Sequence, residues 1–176
     1  MARAEDMSVA LSWIEADQLV TELYRLEASN LVRLARFFVD DRDAAEDLVQ
    51  EAFIRLARAA GRINDRERAP AYLRSIVLNL ARDHNRRGLV SLRHRPASEP
   101  EGPSLEDLVA IRADQRRVIE ALRGLPHRQR VSLVLRYYLE LGVSEIADSL
   151  GISPNSVKTH LQRGLRALAA ELGEST

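Results

Sequence analysis

The sequence predicts an all-α protein made of two small helical domains joined by a flexible linker. Three observations carry that expectation. Apolar residues recur at three- and four-residue spacing along most of the chain, the period of one helix face. Aromatics are 5% of the 176 residues against 45% apolar residues in all, which describes an aliphatic Leu/Ala/Val core with few strand-like runs. Between Gly88 and Ser104 the periodicity stops, and Arg93, His94, Arg95, Pro96, Ser98, Pro100, Gly102 and Pro103 mark an extended segment. The domains expected on this basis are residues 17–88 and 105–173, with the linker at 89–104.

Residues 1–16 read as a partly ordered extension. From Asp17 to Phe38 the positions Leu19, Val20, Leu23, Leu26, Leu31, Leu34, Ala35 and Phe38 predict an amphipathic helix that Ser29-Asn30 could interrupt or bend. Asp40-Asp41 break the run. Asp43-x-x-Glu46 then reads as an acidic capping box opening a helix that Gly61 closes. Its inner face is Ala45, Leu48, Val49, Ala52, Phe53 and Leu56. At roughly 100° per residue, Asp43, Glu46, Asp47, Gln50 and Glu51 fall opposite, with Ile54 among them. An aliphatic side chain inside an acidic face suits a docking surface, and equally a solvated face with one exposed apolar residue.

A polar loop, 62–69, leads to Pro70, which suits the first turn of a helix, and Gly88 suits the position just past its end. Leu73, Ile76, Val77, Leu80 and His84 form the expected inward stripe. Tyr72, Ser75, Asn79, Arg82 and Arg86 form a second stripe, with Arg87 at the end. An aromatic, a hydroxyl, an amide and guanidiniums in one row can stack on bases and hold phosphates. An ordinary basic surface helix would look similar.

Beyond the linker, Ser104 with Asp107 could cap a helix carrying Leu105, Leu108, Val109, Ile111, Val118, Ile119 and Leu122, which Gly124-Leu125-Pro126 ends. Arg128 to Leu141 is helical, with Val131, Val134, Leu135, Tyr138 and Leu139 inward, and Gly142 breaks it. Ser144 is expected to cap a short helix with Ile146, Ala147 and Leu150 inside. Gly151-Ile152-Ser153 makes a tight turn, and Ser153 caps a last helix whose first position is Pro154. Val157, Leu161, Leu165, Leu168 and Leu172 form its expected buried stripe. A short helix, a glycine turn and a capped second helix make a helix-turn-helix signature, whose second helix enters the major groove. Ser153, Asn155, Ser156, Lys158, Thr159 and His160 are the candidates to reach base edges or phosphates, with Gln162 and Arg163 one turn on. Gly164 sits mid-helix at a cost of about 1 kcal/mol with no evident purpose.

The formal net charge is zero, yet its distribution is uneven. Residues 1–61 carry a net −5, residues 62–95 a net +6, residues 96–125 a net −2 and residues 126–176 a net +1. One basic block in an acidic chain neutralises few phosphates at once, so binding to free duplex is expected to be weak. With no cysteine, neither a disulfide framework, a zinc cluster nor a thiol sensor can be built from that residue. The first residues lack the apolar centre of a signal peptide and no run approaches membrane-spanning length, so a cytoplasmic protein without membrane insertion is expected. No metal-ligand spacing, phosphate-binding glycine loop or nucleophile with a plausible base is evident; no cofactor, metal or catalytic residue is expected.

Two sets of residues carry a family resemblance. Asp43-Ala-Ala-Glu46-Asp47-Leu48-Val49-Gln50-Glu51, followed by Tyr72-Leu73-x-x-Ile76-x-x-Asn79-x-x-x-Asp83-x-x-Arg86-Arg87, resembles region 2 of the bacterial sigma-70 superfamily. Leu125-Pro126-x-Arg128-Gln129-Arg130, then Glu145-Ile146-Ala147 and Leu150-Gly151-Ile152-Ser153-x-x-Ser156-Val157-Lys158, resembles region 4. Having only a linker between them resembles the compact extracytoplasmic-function (ECF) group. The resemblance implies a non-enzymatic sigma factor whose partners are core RNA polymerase, through its β′ clamp helices and β flap, and promoter DNA. It implies that Asp43, Glu46, Asp47, Gln50, Glu51 and Ile54 dock on the β′ clamp helices. Tyr72, Ser75, Asn79, Arg82, Arg86 and Arg87 would serve the −10 element, and the helix from Pro154 the −35 element. The linker would thread towards the RNA exit path, and an anti-sigma factor is a common regulator in the family. Tyr72 stands where the family often has tryptophan, and Val77 where alanine is common. A stand-alone helix-turn-helix regulator of the LuxR type, suggested by Val157-Lys158-Thr159-His160-Leu161, is the second reading. It lacks the alternating strand-helix domain that such proteins usually carry upstream.

Overall fold

A computed structural model describes the backbone of residues 2–63, 65–92 and 113–173, and side-chain surroundings for 14–63, 65–87 and 117–173. Every regular element among the described residues is helical: α1 (Ala2–Arg36), α2 (Arg42–Ala60), a 3-10 turn (Arg66–Arg68), α3 (Ala69–Leu92), α4 (Ala113–Gly124), α5 (His127–Leu133) running into a π-turn (Val134–Tyr138), α6 (Val143–Leu150) and α7 (Pro154–Gly173).

The first three helices form one bundle. Leu31 and Leu34 of α1, Leu56 of α2, and Leu73 and Val77 of α3 are wholly buried. α1 is longer than the apolar pattern predicts: it begins at Ala2, so residues 2–16 are helical and not an extension. Ser29 and Asn30 do not interrupt it, because Asn30 Oδ1 faces outward and accepts from Arg33 one turn on, 2.8 Å away. At its end Phe38 and Val39 turn inward, both donating backbone N–H groups to the Ala35 carbonyl. α2 is capped by Asp41, whose carboxylate accepts from the N–H groups of Asp43 and Ala44, and not by Asp43. Sequence alone cannot choose among three closely spaced aspartates, since only the one with extended backbone can reach back to the first turn. Gly61 ends α2 as expected.

Two expectations for α3 change. It continues past Gly88 to Leu92, so Gly88 is an internal glycine; one such residue costs about 1 kcal/mol and need not end a helix. His84 is exposed, because the α1–α2 turn meets α3 one residue further on, where Asn85 Nδ2 donates to the Phe38 carbonyl at 2.7 Å. The expected linker therefore has residues 89–92 within α3. The remainder, and the helix start proposed at Ser104 with Leu105, Leu108, Val109 and Ile111, lie outside the described residues.

In the second bundle Val131, Leu135, Ile146 and Val157 are wholly buried. The π-turn admits an extra residue and rotates the end of the helix, so Tyr138 is 39% exposed and not inward. The turn ends at Glu140 in the left-handed conformation, φ +55°. α6 starts one residue before Ser144: Gly142 is its cap, and the Gly142 N–H donates to Glu145 Oε2 at 2.7 Å. On α7, Leu165 is 42% exposed although its spacing predicts burial, while Gly164 is buried. A Cβ at Gly164 would stand 3.0 Å from Leu133 Cδ1 and 3.3 Å from Gln129 Cβ, so glycine is what allows α7 to lie close on α5. Gly164→Val should lower stability by about 1–3 kcal/mol by overpacking, read as a lower urea midpoint at unchanged m-value.

The two bundles are not independent. α3 packs on α6, and the buried apolar residues of both form one cluster. Phe38 lies against His127 (ring centroids 5.9 Å) and under the Arg130 guanidinium (5.2 Å), Phe37 meets Tyr138 edge-on at 4.8 Å, and Asp40 pairs with Arg123 at 2.9 Å. Inside this contact Arg74 Nε donates to Ser149 Oγ at 3.1 Å, with both residues buried.

Candidate functional site

Three polar surfaces occupy three different helices. The first is the outer face of α2. Asp43, Asp47, Gln50 and Ile54 are exposed, and Ile54 shows 46% of its surface. Glu46 and Glu51 are half-buried, each bonded to an arginine one turn away: Glu46 to Arg42 at 2.9 Å and Glu51 to Arg55 at 2.8 Å. Exposed i,i+4 pairs of this kind stabilise by about 0.3–0.5 kcal/mol, little enough to be exchanged for a partner's cations. The six residues predicted from the sequence thus form one continuous patch, with an aliphatic group in an anionic setting.

The second surface is the stripe on α3. Tyr72, Asn79, Arg82, Arg86 and Arg87 are exposed and Ser75 is half-buried. The Ser75 hydroxyl donates to the Tyr72 carbonyl at 2.7 Å, so it is engaged within the helix. Asp65 precedes the stripe, capping the 3-10 turn at the Glu67 N–H and pairing with Arg68 at 3.3 Å.

The third surface is the helix-turn-helix. Gly151, φ +62°, makes the left-handed turn after α6 that other residues adopt only with strain. Ser153 Oγ accepts from the Ser156 N–H at 3.1 Å and lies 2.9 Å from Ser156 Oγ, so both hydroxyls serve the cap. Thr159 Oγ1 donates to the Asn155 carbonyl at 3.0 Å. That leaves Asn155, Lys158, Gln162 and Arg163 exposed, with polar ends that have no hydrogen-bond partner among the described residues, and His160 half-buried.

Two features were not foreseen. α3 carries a second buried stripe, Arg74, Leu78 and Ala81, about 100° round the helix from the polar one. Leu78 and Ala81, apolar and off the main stripe, were the available signal. Burial lowers the Arg74 pKa below its ordinary value, opposed by Glu27 and Glu145. The other feature is an apolar groove of about 300 Å³ lined by Phe37, Val118, Leu122, Tyr137, Tyr138 and Leu165, four of which are exposed apolar residues of the second bundle.

His127, between the bundles, has its pKa lowered from 6.5 first by burial and then by Arg130, Arg82 and Arg128. Protonation therefore favours the unfolded chain. Its contribution is complete above pH 6.5 and is lost as pH falls from there through the lowered value. Urea midpoints should drop between pH 7.5 and 5.5, and His127→Gln should remove part of that slope.

The Sigma-70 region 2 family model matches residues 23–88, and the Sigma-70, region 4 model matches residues 115–168. The chain belongs to the sigma-70 family of RNA polymerase sigma factors. Within it, this sigma factor is 36% identical over 155 residues to the RNA polymerase sigma-E factor of Streptomyces coelicolor, covering 86% of this chain and 84% of that protein. It is 30% identical over 161 residues to the ECF RNA polymerase sigma factor SigL of Mycobacterium tuberculosis, covering 89% and 90%. The fold is shared with CnrH, solved with the cytosolic domain of CnrY, at TM-score 0.69 and 23% identity over 94% of this chain and 99% of that one. It is also shared with the sigma factor RpoE of Bartonella quintana, solved with the anti-sigma factor NepR, at TM-score 0.69 and 20% identity over 87% and 96%. The protein is thus an ECF-type transcription initiation factor; its first bundle is region 2 and its second region 4. No described helix is long and apolar enough to cross a membrane.

Proposed function

We propose that this sigma factor docks on the β′ clamp helices of core polymerase through Asp43, Glu46, Asp47, Gln50, Glu51 and Ile54. The observation that carries the reading is the separation of charge: the acidic patch is on α2, and the cationic and aromatic stripe is on α3 of the same bundle. Tyr72, Asn79, Arg82, Arg86 and Arg87 then hold unpaired −10 bases and neighbouring phosphates. Ser75 supports them by keeping its hydroxyl on the Tyr72 carbonyl. Asn155, Lys158, Gln162 and Arg163 read the −35 element in the major groove, with Ser153, Ser156, Thr159 and His160 shaping the helix start. The apolar groove under Tyr137, Val118 and Leu165 would receive an apolar element of the β flap. An anti-sigma factor would act by covering one of these same surfaces.

A band-shift titration on promoter DNA tests the reading. The sigma factor alone should leave the duplex largely unshifted and should shift it when core polymerase is added. Tight binding without polymerase would favour a stand-alone regulator.

A further inference from the structure

Cationic side chains from both bundles meet at the rim of one small crevice. We infer that this crevice binds a small phosphate-bearing anion, no larger than a diphosphate or a short-stemmed phosphate ester, held between Arg82 of α3 and Arg128 of α5. The site goes beyond the polymerase and promoter surfaces proposed above and does not depend on them.

The crevice has a volume of about 260 Å³. Asn79 and Arg82 of α3 line it together with His127 and Arg128, the first two residues of α5. Its lining also includes Leu78 and Val131, both buried, so an apolar surface lies beneath the cations. A low-dielectric backing strengthens the pull of a cation on an anion. Arg82 and Arg128 are exposed, and neither has a carboxylate partner among the described residues. Arg128 Nη1 reaches only the Leu150 carbonyl, at 3.4 Å. After burial itself, Arg130, Arg82 and Arg128 lower the His127 pKa, so the fields of cations from both bundles overlap at this point.

Like charges gathered across a junction repel one another, and an anion between them replaces that repulsion with two attractions. Phosphate is the anion that suits this pair, because a guanidinium fork takes two of its oxygens at once. The Asn79 amide adds a further donor. Size limits the rest of the ligand. At roughly 30 Å³ per water the crevice has room for about nine waters, and it falls below the ~300–1,000 Å³ of ordinary small-molecule pockets. Asp148 lines the same crevice and opposes an anion. The site therefore has a signature: removing the carboxylate charge helps binding, and removing either arginine charge hurts it. On the promoter reading above, a bound ligand also occupies Arg82 and competes with DNA for it.

Titration calorimetry of the full-length protein with inorganic pyrophosphate tests the site, at low ionic strength because salt screens such contacts. One equivalent should bind. Arg82→Gln and Arg128→Gln should each weaken binding by at least about tenfold, and Asp148→Asn should tighten it about threefold. Arg166→Gln, which removes the same charge from an exposed position on α7, should leave it within about twofold. Circular dichroism confirms native helix content in each variant. Binding of several equivalents, or losses at Arg82 and Arg128 no greater than at Arg166, overturns the site and leaves only diffuse attraction to a basic surface. Dependence on one of the two arginines alone overturns the bridge between α3 and α5. Absence of both binding heat and any pyrophosphate-induced rise in the unfolding midpoint overturns the inference outright. Neither polymerase nor DNA enters the measurement, so its failure leaves the sigma reading standing.

Discussion

Asp47→Lys with Glu51→Lys is expected to abolish promoter-directed transcription while leaving the helical fold intact. Both residues lie on the outer face of α2, and the buried side of that helix, Ala45, Val49, Ala52, Phe53 and Leu56, is untouched. Lysine is a good helix former, and Glu51→Lys loses only the exposed pair with Arg55. At an interface, reversing a close charge pair costs roughly 2–5 kcal/mol. Two reversals should therefore weaken core binding by at least about a thousandfold, since about 1.4 kcal/mol is tenfold. The measurement is core-polymerase affinity with run-off yield, alongside a urea midpoint within experimental scatter of the parent. Wild-type transcription from the double variant would remove α2 as the docking surface.

The second large effect is expected at α7. Lys158→Ala with Arg163→Ala removes two exposed cationic ends one turn or so apart on α7. A good base contact is worth about 1–3 kcal/mol, so −35-dependent promoter binding by the holoenzyme should fall at least about 30-fold. The salt dependence should flatten by roughly one unit of slope for each phosphate that is no longer neutralised. Core binding should not change. Unaltered preference for the −35 element after both substitutions would place recognition elsewhere.

Features decided by local physics were legible in the sequence, and those decided by distant packing were not. The inner face of α2 and the turn at Gly151 depend on neighbours within a few residues, and both were legible. Asn155, Lys158, Gln162 and Arg163 are exposed because the same helix buries Val157. Two expectations, at Leu165 and Tyr138, failed where distant packing decides, and Arg74 went unread. Leu165 has the spacing of a core residue, yet it lies at the mouth of the apolar groove, where no described element covers it. Tyr138 is displaced by a π-turn that no local signal announces. Arg74 looks like one more surface cation of the basic block, and only its place between two bundles buries it against Ser149. Gly164 shows the converse, a residue unexplained in sequence and accounted for by the close approach of Leu133.

The central claim is that this chain gives polymerase its promoter preference. It is tested most directly by run-off transcription with purified core enzyme, the purified protein and a fragmented genomic library. The account predicts discrete transcripts that appear only when both proteins are present, and that share upstream elements near −10 and −35. Transcription indistinguishable from core enzyme alone would contradict it.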